Sequence, residues 1–337
     1  MENLFTGSTF NKICEAMDLG HIKENPTSVS GGILHKVFEV NTTTGKYAVK
    51  ILSPQIVKDD LALSKMIFSE KVAKVVCDNG INSLPAIQVN GNCLLRVEDM
   101  YCLIFPWFDG RAVLSNSIDT DKCFIVGELL GKIHNVDFSA ITNEIENVVT
   151  NDFTDWNIYY EPVKLCNENW KDLFINNISL IKDLQDISLS SLERLSNNLI
   201  ISHRDLLQKN ILWNANDTPM IIDWESAGYI NPGLELLDVA LYWSGGHKGL
   251  PNIQAFNCFI ESYIKNAGNI NDNINDIVNA RFKSKLDWLE YNLKRFFMEE
   301  CNSKKKIGSQ YIEKASISIL NYHKIKETIM EYMLYCV

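Results

Sequence analysis

The sequence lacks any long apolar run. Nowhere do about eighteen apolar residues follow one another, so we expect no membrane-spanning helix. The first thirty residues also lack the positively charged start and apolar stretch that mark a secretory signal. From these two absences we expect a cytoplasmic protein that has no membrane partner.

Cysteines at metal-binding spacing are absent as well. The nine cysteines are scattered, without a C-x-x-C pair or a close Cys/His cluster. This pattern argues against a zinc site and against a dense disulfide framework. We expect reduced cysteines that serve as small core residues in a reducing compartment.

The chain also has no excess of positive charge. It contains 32 Lys and Arg residues and 42 Asp and Glu residues, which gives a net charge of −10. A nucleic-acid partner held through phosphate contacts is therefore not expected, whereas an acidic surface suits a cationic substrate. With 337 residues, 46% of them apolar, the chain is long enough for one large or two modest domains.

The N-terminal third has the pattern of a small sheet with one helix. Residues 37–40 and 47–52 alternate apolar and polar side chains around a polar link that contains glycine, which predicts a β-hairpin. Apolar residues at helical spacing predict a helix over 60–78. Further strands are predicted at 86–89, 93–97 and 101–105.

The rest of the chain is mainly helical in pattern. Helices are predicted at 124–136, 170–184, 189–199, 234–243, 253–266, 274–300 and 310–335. A compact strand-rich stretch, 200–223, interrupts them. We therefore predict an α+β protein: a small lobe of antiparallel sheet plus helix over residues 1–108, then a larger, mainly helical lobe over 109–337.

The strongest chemical signal lies in the strand-rich stretch. There, His203 and Asp205 are followed five positions later by Asn210, and Asp223 ends an apolar run thirteen positions after that. A loop of this kind presents a carboxylate and an amide oxygen, and a hairpin returns a second carboxylate to the same place. Such a cluster is suited to orienting a hydroxyl and to holding magnesium, which prefers hard oxygen ligands.

This H-x-D-x-x-x-x-N pattern with a later Asp resembles the catalytic and metal-binding elements of kinases. The resemblance implies a bilobal, protein kinase-like fold. It also implies that Asp205 is the catalytic base or substrate-orienting carboxylate, that Asn210 and Asp223 bind Mg²⁺, and that His203 is a buried organiser of the loop.

Within kinases, the sequence resembles the aminoglycoside phosphotransferase and choline kinase family. Asp223 is followed by Trp224-Glu225, and the chain passes quickly into a helix that contains Asp238. Protein kinases place Phe-Gly after the acid and continue to Ala-Pro-Glu, and neither feature is present. Arg204 departs from the family, where Gly or Asn is common, and keeps a protein kinase open as an alternative.

The same resemblance assigns a nucleotide site for ATP, with GTP possible, in the first lobe. Strand alternation puts Lys50 on the face opposite Val49 and Ile51, and the resemblance makes it the phosphate-binding lysine, with Glu70 as its ion-pair partner. Two further elements complete the implied nucleotide site, a phosphate loop with Gly31 and Gly32 and an adenine-binding hinge with Phe105 and Trp107.

Acceptor binding is expected in the part of the chain that follows Asp223. Acidic and aromatic side chains there suit an ammonium-rich acceptor. The candidates are Glu225, Glu235, Asp287 and Trp288.

The sequence thus predicts a phosphotransferase that moves the γ-phosphoryl group of ATP or GTP to a hydroxyl of a small, cationic acceptor such as an aminoglycoside, with antibiotic resistance as a consequence. Three alternatives stay open: a metabolic kinase for choline, homoserine or methylthioribose-like alcohols, an atypical protein kinase, and a catalytically silent binding module. The acceptor's identity and the oligomeric state are not predicted.

Overall fold

The computed structural model describes residues 7–29, 35–113, 119–142, 152–246, 249–298 and 302–336. The chain forms two compact units. Unit 1 comprises Met1–Leu114, Val136–Glu146 and Ile201–Gly228, and unit 2 comprises Ser115–Asn135, Asn147–Ile200 and Tyr229–Val337. The predicted division at residue 108 stays a prediction. Within the described ranges, no helix is both long and apolar enough to cross a membrane.

Unit 1 contains an antiparallel sheet of five strands in the order β1-β2-β3-β5-β4. The strands are β1 (Thr27–Val29), β2 (Lys36–Asn41), β3 (Lys46–Ile51), β4 (Leu95–Val97) and β5 (Met100–Pro106). β2 and β3 pair along their whole length, which confirms the predicted hairpin.

The sheet of unit 1 has an apolar cluster on each face. Val49 and Ile51 of β3 pack with Phe10 and Ile13 of helix α1 (Gly7–Ala16). The second cluster, formed by Leu52, Met66, Ala86, Cys93 and Leu103, contains residues of the sheet and of α3 (Asp60–Asp78). Because side chains alternate along a strand, Lys50 projects from the face opposite Val49.

Helix α3 has the bounds that the apolar spacing predicts. Asp59 caps it by accepting the N–H groups of Leu61 and Ala62 at 2.9 and 3.2 Å, and the short helix α2 (Pro54–Val57) precedes it.

The predicted strand at 86–89 was wrong. Ala86 donates its N–H to the Glu70 carboxylate, and Ile87 donates to the carbonyl of Ile104 at 2.7 Å. The segment therefore contacts the sheet without forming a strand ladder.

A second small sheet in unit 1 includes two strands of the strand-rich stretch, beside the motif residues. Its strands, β6 (Arg111–Ala112), β8 (Ile211–Trp213) and β9 (Pro219–Ile221), are antiparallel in the order β6-β8-β9. The chain after α3 lies beside β9, since Leu84 donates to the carbonyl of Ile221 at 2.9 Å. Strands β7 (Ile200–Ser202) and β10 (Gly228–Ile230) flank this region in the sequence.

Unit 2 is built from helices. They are α4 (Thr120–His134), α5 (Asn157–Leu165), α6 (Lys171–Leu195), α7 (Pro232–Trp243), α8 (Ile253–Ala267), α9 (Ile274–Ala280), α10 (Phe282–Met298) and α11 (Asn302–Cys336). Helices α4 and α8 approach closely, because a Cβ at Gly127 would lie 2.4 Å from the carbonyl oxygen of Phe259. A small antiparallel sheet in one unit and a mainly helical second unit confirm the predicted fold class.

Two helix predictions needed correction. The expected break between 184 and 189 is absent, and α6 runs through it, because the polar Gln185 and Ser188 are buried inside the helix rather than exposed in a loop. The predicted helix 274–300 is divided at Arg281, whose side chain bonds Asp238 on α7.

The prediction that cysteines serve as core residues holds for half of those that the structure describes. All eight cysteines in the described part of the chain are free thiols. Cys14, Cys93, Cys102 and Cys123 are buried, whereas the other four are only partly buried.

Candidate active site

The central feature of the site is a cluster of one lysine and two carboxylates in unit 1. The amine of Lys50, on β3, donates to Asp223 Oδ1 at 2.7 Å and to Glu225 Oε2 at 2.7 Å. Both acids follow β9, which hairpin pairing with β8 holds in place. Residues 173 positions apart in the chain thus meet at one charged centre.

The cluster is only partly open to solvent, so its charges are strongly coupled. The exposed fraction of the side chain is 12% for Lys50 and 32% for both Asp223 and Glu225. Burial by itself lowers the pKa of Lys50, but the two carboxylates outweigh it and raise that pKa. The amine is therefore a persistent positive charge.

Glu225 is held from two sides. His35 Nδ1 accepts the N–H of Ser53 at 3.0 Å, which leaves the proton on Nε2, and Nε2 lies 3.3 Å from Glu225 Oε2. The hydrogen bond from His35, followed by the charge of Lys50, lowers the pKa of Glu225 to about 2. Glu225 is consequently ionised throughout the physiological range.

His203 lies in the loop that carries Asp205 and is fully buried. Its Nδ1 accepts the N–H of Asp205 at 3.2 Å, so Nε2 carries the proton and donates to the carbonyl of Ile222 at 3.1 Å. Its ring also packs against Trp224, with the ring centroids 4.5 Å apart. The imidazole therefore ties the loop of Asp205 to the segment that carries Asp223.

Asp205 and Asn210 are bonded to each other. Asn210 Nδ2 donates to the carbonyl of Asp205 at 2.8 Å and to its carboxylate Oδ2 at 2.9 Å. Lys209 adds an ion pair to the same carboxylate oxygen at 2.9 Å. Because the amide nitrogen of Asn210 makes both bonds, its oxygen is the atom left to act as a ligand.

Two non-glycine residues of the site adopt left-handed backbone conformations. Asp223 has φ 61° and ψ 61°, and Arg204 has φ 65°. Such conformations disfavour most side chains, and glycine and asparagine tolerate them best. Arg204 thus occupies a backbone conformation that glycine or asparagine would adopt more easily.

The donor atoms fit a magnesium ion. Asp223 and Glu225 offer carboxylate oxygens and Asn210 an amide oxygen, which are the hard ligands that Mg²⁺ takes together with waters and phosphate oxygens. No group of three or more His, Cys, Asp or Glu side chains in the described ranges forms a dense metal centre. Any metal here would thus depend on water or on a substrate for part of its shell.

Glu70 does not pair with Lys50 in this structure, in contrast to the ion pair that the resemblance implies. Its carboxylate accepts the N–H of Ala86 at 2.7 Å and is 3% exposed. Burial raises the pKa of Glu70 to about 7. Glu70 and Lys50 do not pair because the amine of Lys50 already donates to Asp223 and Glu225.

The residues of the predicted hinge contact neighbouring residues of unit 1. Phe105 pairs with Ala48 across the sheet, while Trp107 donates its backbone N–H to the carbonyl of Lys46 at 3.0 Å. The Trp107 indole donates to Asp109 at 2.7 Å, and the Lys46 amine lies 4.1 Å from its ring centroid. The backbone N–H of Trp107 is therefore not the donor that a base would use. Gly31 and Gly32 lie outside the described residues.

Among the predicted acceptor residues, Glu235 lies in the interior of unit 2. It is 1% exposed, and its carboxylate lies 2.9 Å from His134 Nε2 on α4, whose Nδ1 contacts Tyr263 OH at 2.8 Å. This position does not support the predicted contact with an acceptor, since the carboxylate braces α7 against α4.

Asp287 and Trp288 lie on the surface of unit 2, on α10. Asp287 forms an ion pair with Lys283. Trp288 is 44% exposed and stacks on Tyr291, with the ring centroids 5.5 Å apart and an interplanar angle of 16°. The aromatic pair remains accessible, whereas Glu225, the fourth predicted acceptor residue, lies in the Lys50 cluster of unit 1.

Two residues of the site were missed by sequence reasoning. His35 precedes β2 without any motif of its own, and Lys209 lies between Asp205 and Asn210 as one of many lysines. The i, i+4 spacing of Asp205 and Lys209 was the available signal for the second.

Comparison with known proteins identifies a family of phosphotransferases. Residues 26–257 match the sequence profile of the phosphotransferase enzyme family. No curated protein matches the chain.

Solved structures share the fold at low sequence identity. Spectinomycin phosphotransferase APH(9)-Ia, solved with ADP and spectinomycin, has a TM-score of 0.72 at 13% identity, with 96% of this chain and 100% of that chain covered. The choline kinase of Cryptosporidium parvum has a TM-score of 0.59 at 13% identity, covering 97% of both chains. The ethanolamine kinase of Plasmodium vivax gives 0.58 at 15%, with coverage of 94% and 90%.

Proposed function

The chain belongs to the phosphotransferase enzyme family, and on that premise we propose that it moves the γ-phosphoryl group of ATP to a hydroxyl of a small cationic acceptor, such as an aminoglycoside. The observation that carries the proposal is the contact of Lys50 with Asp223, since it joins the lysine proposed to bind phosphate to the carboxylate proposed to bind metal. GTP stays an alternative donor.

The proposed roles follow the contacts of unit 1. Asp205 aligns the acceptor hydroxyl and takes its proton, while Asn210 and Lys209 fix its carboxylate. Lys50 binds the phosphates of the nucleotide. When bound to Asn210 and Asp223, magnesium would neutralise charge on the triphosphate. Direct in-line transfer needs no phosphorylated enzyme intermediate.

Support for a cationic acceptor comes from charge and from one surface feature. The chain carries a net charge of −10, and the exposed aromatic pair of Trp288 and Tyr291 offers π-faces to an ammonium group. The similar structures are named for spectinomycin, choline and ethanolamine, which carry amine or quaternary ammonium groups and agree with this class. A metabolic kinase for a choline-like alcohol is the second candidate, favoured by the same aromatic pair.

The test is ADP release with magnesium, ATP or GTP, and a panel of acceptors. The panel comprises aminoglycosides, spectinomycin, choline, ethanolamine, homoserine, methylthioribose and a protein substrate. We expect acceptor-dependent ADP release with an amine-bearing alcohol. Release with the protein substrate alone would identify a protein kinase, and no release under any condition would indicate a binding module.

A matched pair of variants assigns the chemistry to the site. Asp205→Ala removes the proposed base, and we expect it to lower kcat by about 10²- to 10⁴-fold while the protein stays folded. Asp186→Asn changes an exposed acid on α6 and should leave kcat unchanged. Near-wild-type turnover by a folded Asp205→Ala protein would refute the assignment.

A further inference from the structure

Unit 2 contains a second charged cluster, in which two basic side chains share one aromatic ring. Arg281 and Lys285 are spaced four positions apart at the start of α10. The guanidinium of Arg281 lies 4.6 Å, and the amine of Lys285 5.5 Å, from the ring centroid of Tyr322 on α11. Tyr322 is fixed in turn, because its hydroxyl donates to the carbonyl of Val278 at 2.9 Å.

The positive charge of this cluster exceeds its negative charge. Arg281 Nε donates to Asp238 Oδ1 on α7 at 2.6 Å. Lys285 donates to a neutral acceptor, Ser318 Oγ on α11, at 2.7 Å. In the described part of the chain, no carboxylate forms an ion pair with the amine of Lys285. Two cations therefore face one anion in a protein whose net charge is −10.

The cluster borders a small polar cleft. The lining residues include Gly246, Arg281, Lys285, Ser318, Asn321 and Tyr322. The cavity volume is about 10 Å³, enough for about one water-sized particle. Ser318 and Asn321 add hydroxyl and amide donors to the two cations.

We propose that this cleft binds one small monovalent anion of halide size, held by Arg281 and Lys285 and by the polar groups of Ser318 and Asn321. While Lys285 is protonated, a neutral water molecule would leave the excess positive charge uncompensated, whereas a halide balances it. A larger anion, such as gluconate, exceeds the space in the cleft. The bound anion joins α10 to α11 and thereby stabilises unit 2.

Protonation of Lys285 is linked to this site. Among the described residues, the charged and titratable groups that face its amine are Asp238 on α7, Arg281 before α10 and Tyr322 on α11. Burial, and then repulsion by Arg281, lowers the pKa of Lys285 to about 7, against the opposing effect of Asp238. A halide favours the charged amine, so its affinity is expected to fall as the pH rises above about 7.

The experiment compares thermal unfolding of the full chain in sodium chloride and in sodium gluconate at equal ionic strength. We expect chloride to raise Tm by roughly 2 °C or more below the pKa of Lys285, and by less above it. Lys285→Met keeps the aliphatic stem and removes the charge, so it should abolish the difference. Lys283→Met, on the same helix, removes a lysine that pairs with Asp287 and should keep the difference.

A second measurement keeps the result independent of variant stability. Chloride NMR linewidths should broaden with the wild-type protein, and Ser318→Ala should reduce that broadening without removing a charge. Equal Tm values in the two salts, or a chloride effect that persists in folded Lys285→Met, would overturn the proposal. None of these substitutions alters a proposed catalytic residue. The anion site is therefore judged by Tm and by chloride linewidths, and the proposed function is judged separately by phosphotransfer.

Discussion

The amine of Lys50 lies 2.7 Å from the carboxylate of Asp223, with Glu225 at the same distance on its other side. The three groups bring one positive and two negative charges together in a partly buried place. The excess negative charge makes the cluster receptive to a divalent cation, and a cation that bound these carboxylates would free the lysine for the phosphates. The following predictions test separate members of this cluster.

Asp223→Asn is expected to lower kcat by at least about a hundredfold, because it weakens a proposed metal ligand while preserving shape. The affinity for nucleotide without magnesium should change little, since the amide retains an oxygen and Lys50 keeps Glu225 as a partner. Measuring kcat across a magnesium titration, with nucleotide binding by calorimetry, checks both parts. Asp186→Asn is the control, and a parallel loss of turnover in both proteins would argue against a metal role.

Lys50→Met is expected to weaken ATP binding by roughly 10- to 100-fold, since charged hydrogen bonds contribute about 1.5–3 kcal/mol. The effect should appear in KM for ATP and in kcat, but not in KM for the acceptor. Lys74→Met, which removes an exposed lysine paired with Asp78 on α3, provides the comparison. Unchanged KM for ATP in a folded Lys50→Met protein would exclude the assigned role.

Local patterns predicted much of this fold, and long-range packing explains what they missed. The alternation along 37–52 and the apolar spacing over 60–78 are local patterns. The structure has the hairpin and the helix that they predict. The segment 86–89, expected to be a strand, is instead held by a residue 16 positions earlier. The Glu70 carboxylate accepts the N–H of Ala86.

The site shows the same distinction. The spacing from His203 to Asp223 indicated which residues belong together, and the structure brings Lys50 to them. The partner of Lys50 could not be read from the sequence, because Asp223, Glu225 and Glu70 are chemically equivalent candidates. The choice depends on where β9 ends and how deeply α3 is buried, which are properties of the packed unit.

His35→Phe is expected to change the acid stability of the protein. The lowered pKa of Glu225 contributes stability that is present above pH 4.5 and lost as the pH falls to about 2. Without the hydrogen bond from His35 that pKa rises, so the free energy of unfolding should decline less across this window. Urea unfolding at a series of pH values measures the decline.

The control for this prediction is His21→Phe, which replaces an exposed histidine. It should keep the wild-type dependence on pH. The absolute stability of His35→Phe is not the criterion, because the N–H of Ser53 also loses its acceptor. An identical decline in His35→Phe and wild type would show that His35 does not hold Glu225.

Glu70→Gln is expected to stabilise the protein at neutral and higher pH. Burial raises the pKa of Glu70 from 4.5 to about 7, so the folded state holds a proton that the unfolded state releases in this range. Stability therefore falls as the pH rises from 4.5 to about 7. The cost reaches roughly 3 kcal/mol above that range, and glutamine removes it while keeping an oxygen for the N–H of Ala86.

Urea unfolding below pH 4.5 and above pH 7 measures this difference, with the exposed Glu24→Gln as the control. The variant and wild type should be similar in acid and diverge in favour of the variant as the pH rises. An ion pair between Glu70 and Lys50 predicts the reverse, because a paired carboxylate has a lowered pKa and stabilises the folded state when ionised. A Glu70→Gln protein that loses stability above pH 7 would therefore establish that ion pair and overturn the arrangement around Lys50 described here.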